Sequence, residues 1–256
     1  MIGDPELLAF RRNYYDLFVK LFWREPTAEL LAPLREGIEE RTRAAGGLHP
    51  LLGEGWEEIG GFLAGRAPGA AAEDAADEFT RLFLGPTAPE VHPYESYYLT
   101  GKLLDRPLVA IRSYLKSIGM EREESYSEPE DALAFELGVM RRLIDRQATE
   151  SNPDGETRWM NVQATFLKQH LLVWAPTCAR ELEEAKGARL YRGVARLLRG
   201  FLDLELDLVR DWGPVTLRSL DEVRQSYRLV RDWKGPTFEM PTAPDPPEAA
   251  PPPPGG

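Results

Sequence analysis

The sequence has one cysteine, Cys178, three histidines and no long apolar run. A single cysteine excludes an internal disulfide and fits a reducing compartment. His49, His92 and His170 are far apart, and none stands at metal-ligand spacing from another histidine or from the cysteine, so no metal or other cofactor is expected. No stretch approaches the ~18 apolar residues of a membrane span. The N-terminal MIGDPELLAFRRNYY lacks the basic, apolar and small-residue order of a secretion signal, so the chain is read as cytoplasmic. A phosphate-cradling loop is missing too: GEGWEEIGG has the glycines but no lysine and no preceding strand. Sustained alternation and hairpin dipeptides are absent, so the predicted fold class is all-α.

What the chain does have is length and negative charge. Its 256 residues suit one domain or two packed lobes, large enough to bury a core unaided. Lys and Arg number 31 against 42 Asp and Glu, a net charge of −11. That field repels phosphate backbones, so nucleic acid is not an expected partner, whereas basic peptides are attracted.

Helical signals run along most of the sequence. Asp4-Pro5 pairs a capping side chain with a proline suited to a first helical position, and Leu7, Leu8, Tyr14, Leu17 and Leu21 follow. Thr27 is read as the cap of the next segment, which Pro33 should shorten or kink. The glycine-rich stretch from Leu48 to Ala70 reads as helix broken by loop, and 71–84 as helix stopping at Gly85-Pro86. A proline-rich loop precedes one or two helices, for which Gly119 is a C-terminal cap. Further helices are predicted over 158–174 and 176–186, with Pro176 at the start of the second. Leu190, Val194, Leu197, Phe201, Leu204 and Leu208 form one apolar stripe, ended by Gly213-Pro214 and read as core. Residues 238–256, FEMPTAPDPPEAAPPPPGG, read as a disordered proline-rich tail.

Few residues invite a chemical role. His170 shares a helix with Phe166 and Trp174 and is read as a packed, satisfied histidine. Cys178 follows Pro176-Thr177 near a predicted helix start, which would lower a thiol pKa. With no base or orienting group nearby it is read instead as a small buried residue. No set of residues makes an enzyme. The remaining feature is an acidic cluster, Glu128-Pro129-Glu130-Asp131, ahead of an amphipathic run. Ser127 and Glu130 match a capping box, which would put Glu128 and Asp131 in the first helical turn.

Three blocks then occur in order: FTRLFLGPTAPEVHPYESYYL (79–99), EPEDALAFELGVMRRLI (128–144) and FLKQHLLVWAPTCARELEEAKGARLYRGVARLLRGFL (166–202). Together with weaker likeness from about residue 8, they make the chain resemble the TorD/DmsD/NarJ family of cytoplasmic chaperones for molybdenum oxidoreductases. The likeness covers roughly residues 8–212. It departs from the family at Ala132, where the family has histidine, and at Tyr97, where it has valine. The resemblance implies a two-lobed helical bundle, with lobes of about 1–126 and 127–237 and a hinge near the E-P-x-D segment. It implies a non-enzymatic chaperone, monomeric or dimeric, that holds the catalytic subunit of a molybdenum oxidoreductase. The held part would be its N-terminal region or twin-arginine signal peptide. Carried over, Glu95, Glu128 and Asp131 would be acidic contacts for the peptide. Tyr94, Tyr97 and Tyr98 would be apolar walls, and Pro93 and Pro129 would shape the turns around the loop serine, Ser96. Trp174 stands between groove wall and core, with core favoured. A guanine-nucleotide-binding regulatory or assembly factor is the alternative, against which the missing phosphate loop argues.

Overall fold

A computed structural model describes residues 3–85, 88–123 and 127–232. The tail, with Pro86 and Tyr126, lies outside the described residues. Within them the chain is all-α, as the periodicities predict, and the one strand-like feature is an isolated antiparallel bridge between Tyr94 and Ala132.

The first helices follow their caps. Helix α1 (Pro5–Trp23) begins where the Asp4 carboxylate accepts from the Glu6 N–H, and α2 (Ala28–Arg35) where the Thr27 hydroxyl accepts from Leu30. Helix α2 ends two residues past Pro33, and Gly37, at φ 62°, turns the chain into α3 (Ile38–Leu48). The left-handed region is open to glycine at little cost, which lets the chain reverse here.

The glycine-rich stretch is helix broken by loop, as expected, with the break at residues 64–67 rather than at its first glycines. Helix α4 (Pro50–Leu63) runs through Gly53 and Gly55 without interruption. The reason is packing against α11 (Leu190–Val209): a Cβ on Gly55 would stand 2.7 Å from the Gly193 carbonyl oxygen, and one on Gly193 2.8 Å from that of Gly55. The cost of glycine in a helix, ~1 kcal/mol each, is offset by two backbones in contact.

Helix α5 (Pro68–Phe79) passes into a π-helical turn, Thr80–Leu84, which ends at Gly85. After the loop come α6 (Glu95–Thr100), α7 (Arg106–Ser117) and α8 (Leu133–Ala148). The next break is displaced from its predicted place. Helix α9 (Pro153–Gln169) ends at His170, whose φ of −124° and ψ of −93° leave the helical region, and α10 (Leu171–Glu184) carries Pro176 inside it. Helix α11 ends at Val209, four residues before Gly213, and α12 (Leu220–Asp232) closes the described chain.

The apolar stripe of α11 is core as expected. Leu190, Val194, Leu197 and Phe201 are fully buried, and Leu204 and Leu208 partly so. Its ends are held by distant side chains. The Glu78 carboxylate accepts from the N–H groups of Arg189 (2.9 Å) and Tyr191 (2.8 Å), and the Lys168 ammonium donates to the carbonyls of Arg210 and Trp212. Helix α1 packs along α8, and α4 along α11. A polar knot ties α1 to α11 in the interior. Arg11 holds Glu205 with both arms of its guanidinium (2.6 and 2.7 Å), Tyr15 donates to the same carboxylate (2.7 Å), and Arg11 also reaches Gln163.

Candidate functional site

The loop before α6 and the acidic cluster before α8 lie side by side. Two backbone bonds join them: Glu95 N–H to the Asp131 carbonyl (2.8 Å) and Leu133 N–H to the Pro93 carbonyl (2.9 Å). The Asp131 carboxylate accepts from the Ser96 N–H (3.1 Å) at the start of α6, where negative charge is favoured. Motif residues about 35 positions apart in the chain are thus one structural unit.

That arrangement corrects the capping-box reading. The cap position of α8 is Ala132, with no side-chain cap. Glu130 turns instead to Arg112 of α7 (2.8 Å) and Arg122 (3.5 Å), and Asp131 to α6. Burial pushes the Glu130 carboxyl up, but its hydrogen bond with Arg112 and the two cationic neighbours outweigh that and hold it below the usual range. Tertiary cations compete better for this carboxylate than a local amide does.

Burial divides the expected site residues into two sets. Glu95, Ser96, Asp131 and Trp174 are interior, none more than 1% exposed. The expectation that Glu95 and Asp131 stand at the surface as acidic contacts is corrected by this placement, while Trp174 lies in the core, the favoured of its two readings. Asp131 accepts the Ser96 N–H with one oxygen while the other is buried without a hydrogen bond among the described residues, and Glu95 is held by a partner within the fold. Glu95 faces His170 Nδ1 (3.1 Å), and Glu136 of α8 accepts from the Trp174 indole N–H (3.1 Å). Burial, reinforced by the charges of Glu95 and Asp131, pushes the Glu136 carboxyl well above the ordinary range. Burial raises Glu95 too, against the opposing pull of His170. His170 is the packed, satisfied histidine that the sequence suggested. Cys178 lies inside α10, where burial pushes its thiol up to about 12, not down as a helix start would.

The second set reaches solvent. The Tyr94 hydroxyl donates to the exposed Glu128 (2.9 Å), and Pro93 and Pro129 are half-buried beside them. Pro93, Tyr94, Glu128 and Ala132 edge a hollow of about 270 Å³ whose inner walls include Phe22 and Phe83, with the exposed Leu84 also on its lining. Phe83 packs edge-on against Phe22 (5.9 Å) and Phe79 (5.0 Å), so the π-turn delivers an aromatic floor. Trp23, Arg24 and Glu25 belong both to this hollow and to a larger groove of about 860 Å³. The groove is lined by Tyr14 and Leu17 of α1, Leu30 and Leu34 of α2, and Trp56 of α4. Trp23, 44% exposed, stands where the two join. Sequence reasoning missed this extension. The available signal was a large aromatic at a helix end, followed by Arg24-Glu25-Pro26. Tyr97 is not part of the hollow. It stacks on His92 (4.1 Å between centroids) and faces a separate recess, while Tyr98 is buried and donates to Glu181 (2.6 Å).

An all-α scaffold carrying an apolar hollow with a carboxylate at its rim has the form of a binding protein. Among the described residues no group of three or more His, Cys, Asp or Glu side chains could hold a metal ion, and no helix is long and apolar enough to cross a membrane. The family model described as nitrate reductase delta subunit matches residues 46–180, and the chain belongs to that family. Curated relatives include the chaperone protein TorD of Aeromonas salmonicida, 34% identical over 130 residues, which are 51% of this chain and 58% of the relative. Another is the chaperone protein TorD of Vibrio cholerae serotype O1, 32% identical over 134 residues, 52% and 60% of the respective chains. A third, from Aliivibrio fischeri, is 31% identical over 139 residues, 54% and 64%. The matched region therefore spans about three fifths of the length of these relatives. Their designation as chaperones agrees with a non-enzymatic protein, and the guanine-nucleotide alternative gains no support from them.

Proposed function

We propose that this protein is a system-specific maturation chaperone of the cytoplasm. It holds the N-terminal region of a molybdenum oxidoreductase catalytic subunit, a twin-arginine signal peptide included, until the cofactor is inserted. The observation that carries the reading is the hollow itself. Pro93, Tyr94 and Glu128, from two motifs of the family resemblance, edge one recess whose apolar walls continue past Trp23 into the groove of α1 and α2.

In this reading the buried residues Glu95, Ser96, Asp131 and Trp174 are the frame, and Tyr94, Glu128 and Trp23 are the contacts. Magnitudes assign the work between them. An exposed ion pair contributes ~0–1 kcal/mol, so Glu128 sets register and on-rate for a basic peptide rather than holding it. Burying about 400 Å² of apolar peptide surface gives ~10 kcal/mol gross. Association costs of ~4–15 kcal/mol leave moderate affinity, which suits release.

The test is titration of the labelled N-terminal peptide of the molybdoenzyme subunit encoded beside this gene, followed by fluorescence anisotropy. Saturable binding is expected, weakened in Tyr94→Ala and Glu128→Lys with helical signal retained. Wild-type binding by both variants, or no saturation with folded protein, overturns the reading.

A further inference from the structure

Two clusters of basic side chains stand out on this acidic chain, and they differ in how far they are neutralised. Arg196 and Arg199 of α11 are answered by Glu183 and Glu58, with Arg196 2.9 and 2.8 Å from the two carboxylates. The other cluster lies where α6, α7 and α12 meet. A recess of about 330 Å³ is lined there by Lys102, Arg106, Arg224 and Arg228, with Asp105 the acidic member.

Even with Asp221 standing 3.5 Å from Arg224, Asp105 does not cancel the four charges. Its carboxylate caps α7, accepting from the Arg106 N–H (2.8 Å), and that bond first, then the adjacent cations, hold it below its usual range. Arg106 and Arg224 form the frame. Arg106 donates to the Tyr227 carbonyl (2.6 Å) with its guanidinium 5.2 Å over that ring, and Arg224 donates to the Tyr98 carbonyl (2.6 Å). Lys102 and Arg228 have no ion-pair or hydrogen-bond partner among the described residues, and both are exposed. The first amides of α7 offer nothing further, since Arg106 N–H is bound to Asp105 and Pro107 has none. The attraction for an anion therefore comes from side chains of α7, α12 and the segment between α6 and α7, with Tyr97 and Tyr227 in the walls.

We propose that this recess binds the phosphate monoester of a small ring-bearing molecule. The dianion sits among Lys102, Arg106 and Arg228, and the ring lies against the tyrosines. Guanidinium forks and an ammonium match phosphate oxygens in number and charge. The volume is that of a small-molecule site rather than a protein-docking face. The net charge of −11 holds large polyanionic surfaces at a distance while leaving a small ligand free to enter. This site is separate from the hollow at Tyr94 and Glu128 and does not depend on the chaperone reading.

Calorimetry at low salt with phenyl phosphate, with inorganic phosphate and with phosphatidylglycerol vesicles tests the assignment. Phenyl phosphate should bind saturably, roughly threefold to tenfold more tightly than inorganic phosphate because of the aromatic walls. Lys102→Ala and Arg228→Ala should each weaken it by about twofold to fivefold with helicity unchanged, and the pair together more. Glu128→Lys, outside the recess, should bind phenyl phosphate as wild type does. The proposal is overturned by absence of saturable heat with both soluble phosphates, or by equal affinity for the two. Undiminished binding in the double variant, or binding confined to the vesicles, overturns it equally.

Discussion

Replacing Asp131 separates a frame residue from a contact residue. Asp131→Ala removes the carboxylate that accepts from the Ser96 N–H, and both residues are fully buried. A buried amide left without a partner costs ~1–3 kcal/mol, and the lost bond is one to a charged group, worth ~1.5–3 kcal/mol; the two figures describe the same event and are not summed. Relief acts in the other direction, because the Asp131 charge raises the carboxyl pKa of both Glu95 and Glu136. A net loss of ~1–2 kcal/mol follows, and in a chain of this length each kcal/mol moves Tm by ~2–4 °C. Thermal melts followed by circular dichroism should therefore fall by about 2–8 °C in Asp131→Ala. Asp131→Asn keeps an acceptor oxygen and should recover at least half of that. Glu128→Ala, at an exposed position, should stay within ~0.5 kcal/mol of wild type. Peptide binding measured well below the melts should survive in Asp131→Ala. An unchanged Tm together with lost binding would refute the reasoning and return Asp131 to the surface role that the sequence suggested.

Two further outcomes concern the charged interior. Glu136 has its carboxyl raised by burial, so the fold favours the protonated form. Its contribution is present below the ordinary carboxylate range and is lost as pH rises through the folded value. Glu136→Gln, still able to accept from Trp174, should gain in urea midpoint over wild type between about pH 5 and pH 8, and a difference constant with pH contradicts this. Arg11→Met should lose ~3–5 kcal/mol in urea denaturation, because it strands Glu205 inside, and Arg11→Met with Glu205→Leu should regain most of it. A double variant that stays as unstable as Arg11→Met alone would show that the ion pair itself stabilises the fold.

The helices were legible wherever the signal was local. Asp4 and Thr27 cap the helices that their neighbours predict, and the spacing from Leu190 onward marks the buried face of α11. What the sequence hides are partners made by folding. Nothing near Glu130 announces Arg112, so S-x-x-E read as a cap, and nothing near Glu78 shows that it caps a helix more than 100 residues away. Gly53 and Gly55 look like breakers until α3 is brought against the first and α11 against the second. Of the candidate site, adjacency of the two motifs was legible through the resemblance. The division into buried frame and open rim was not, because Glu95 and Glu128 carry the same side chain and differ only in what surrounds them.

The pairing of α4 with α11 has a consequence for biosynthesis. Ile59 and Phe62, buried in the finished protein, belong to a helix that ends at Leu63, while its principal cover ends at Val209. At ribosomal speeds of ~5–20 residues per second, the cover emerges about 7–30 s later. During that interval the nascent chain shows a greasy surface of its own, so a protein read as guardian of another polypeptide is itself in need of shelter while it is being made.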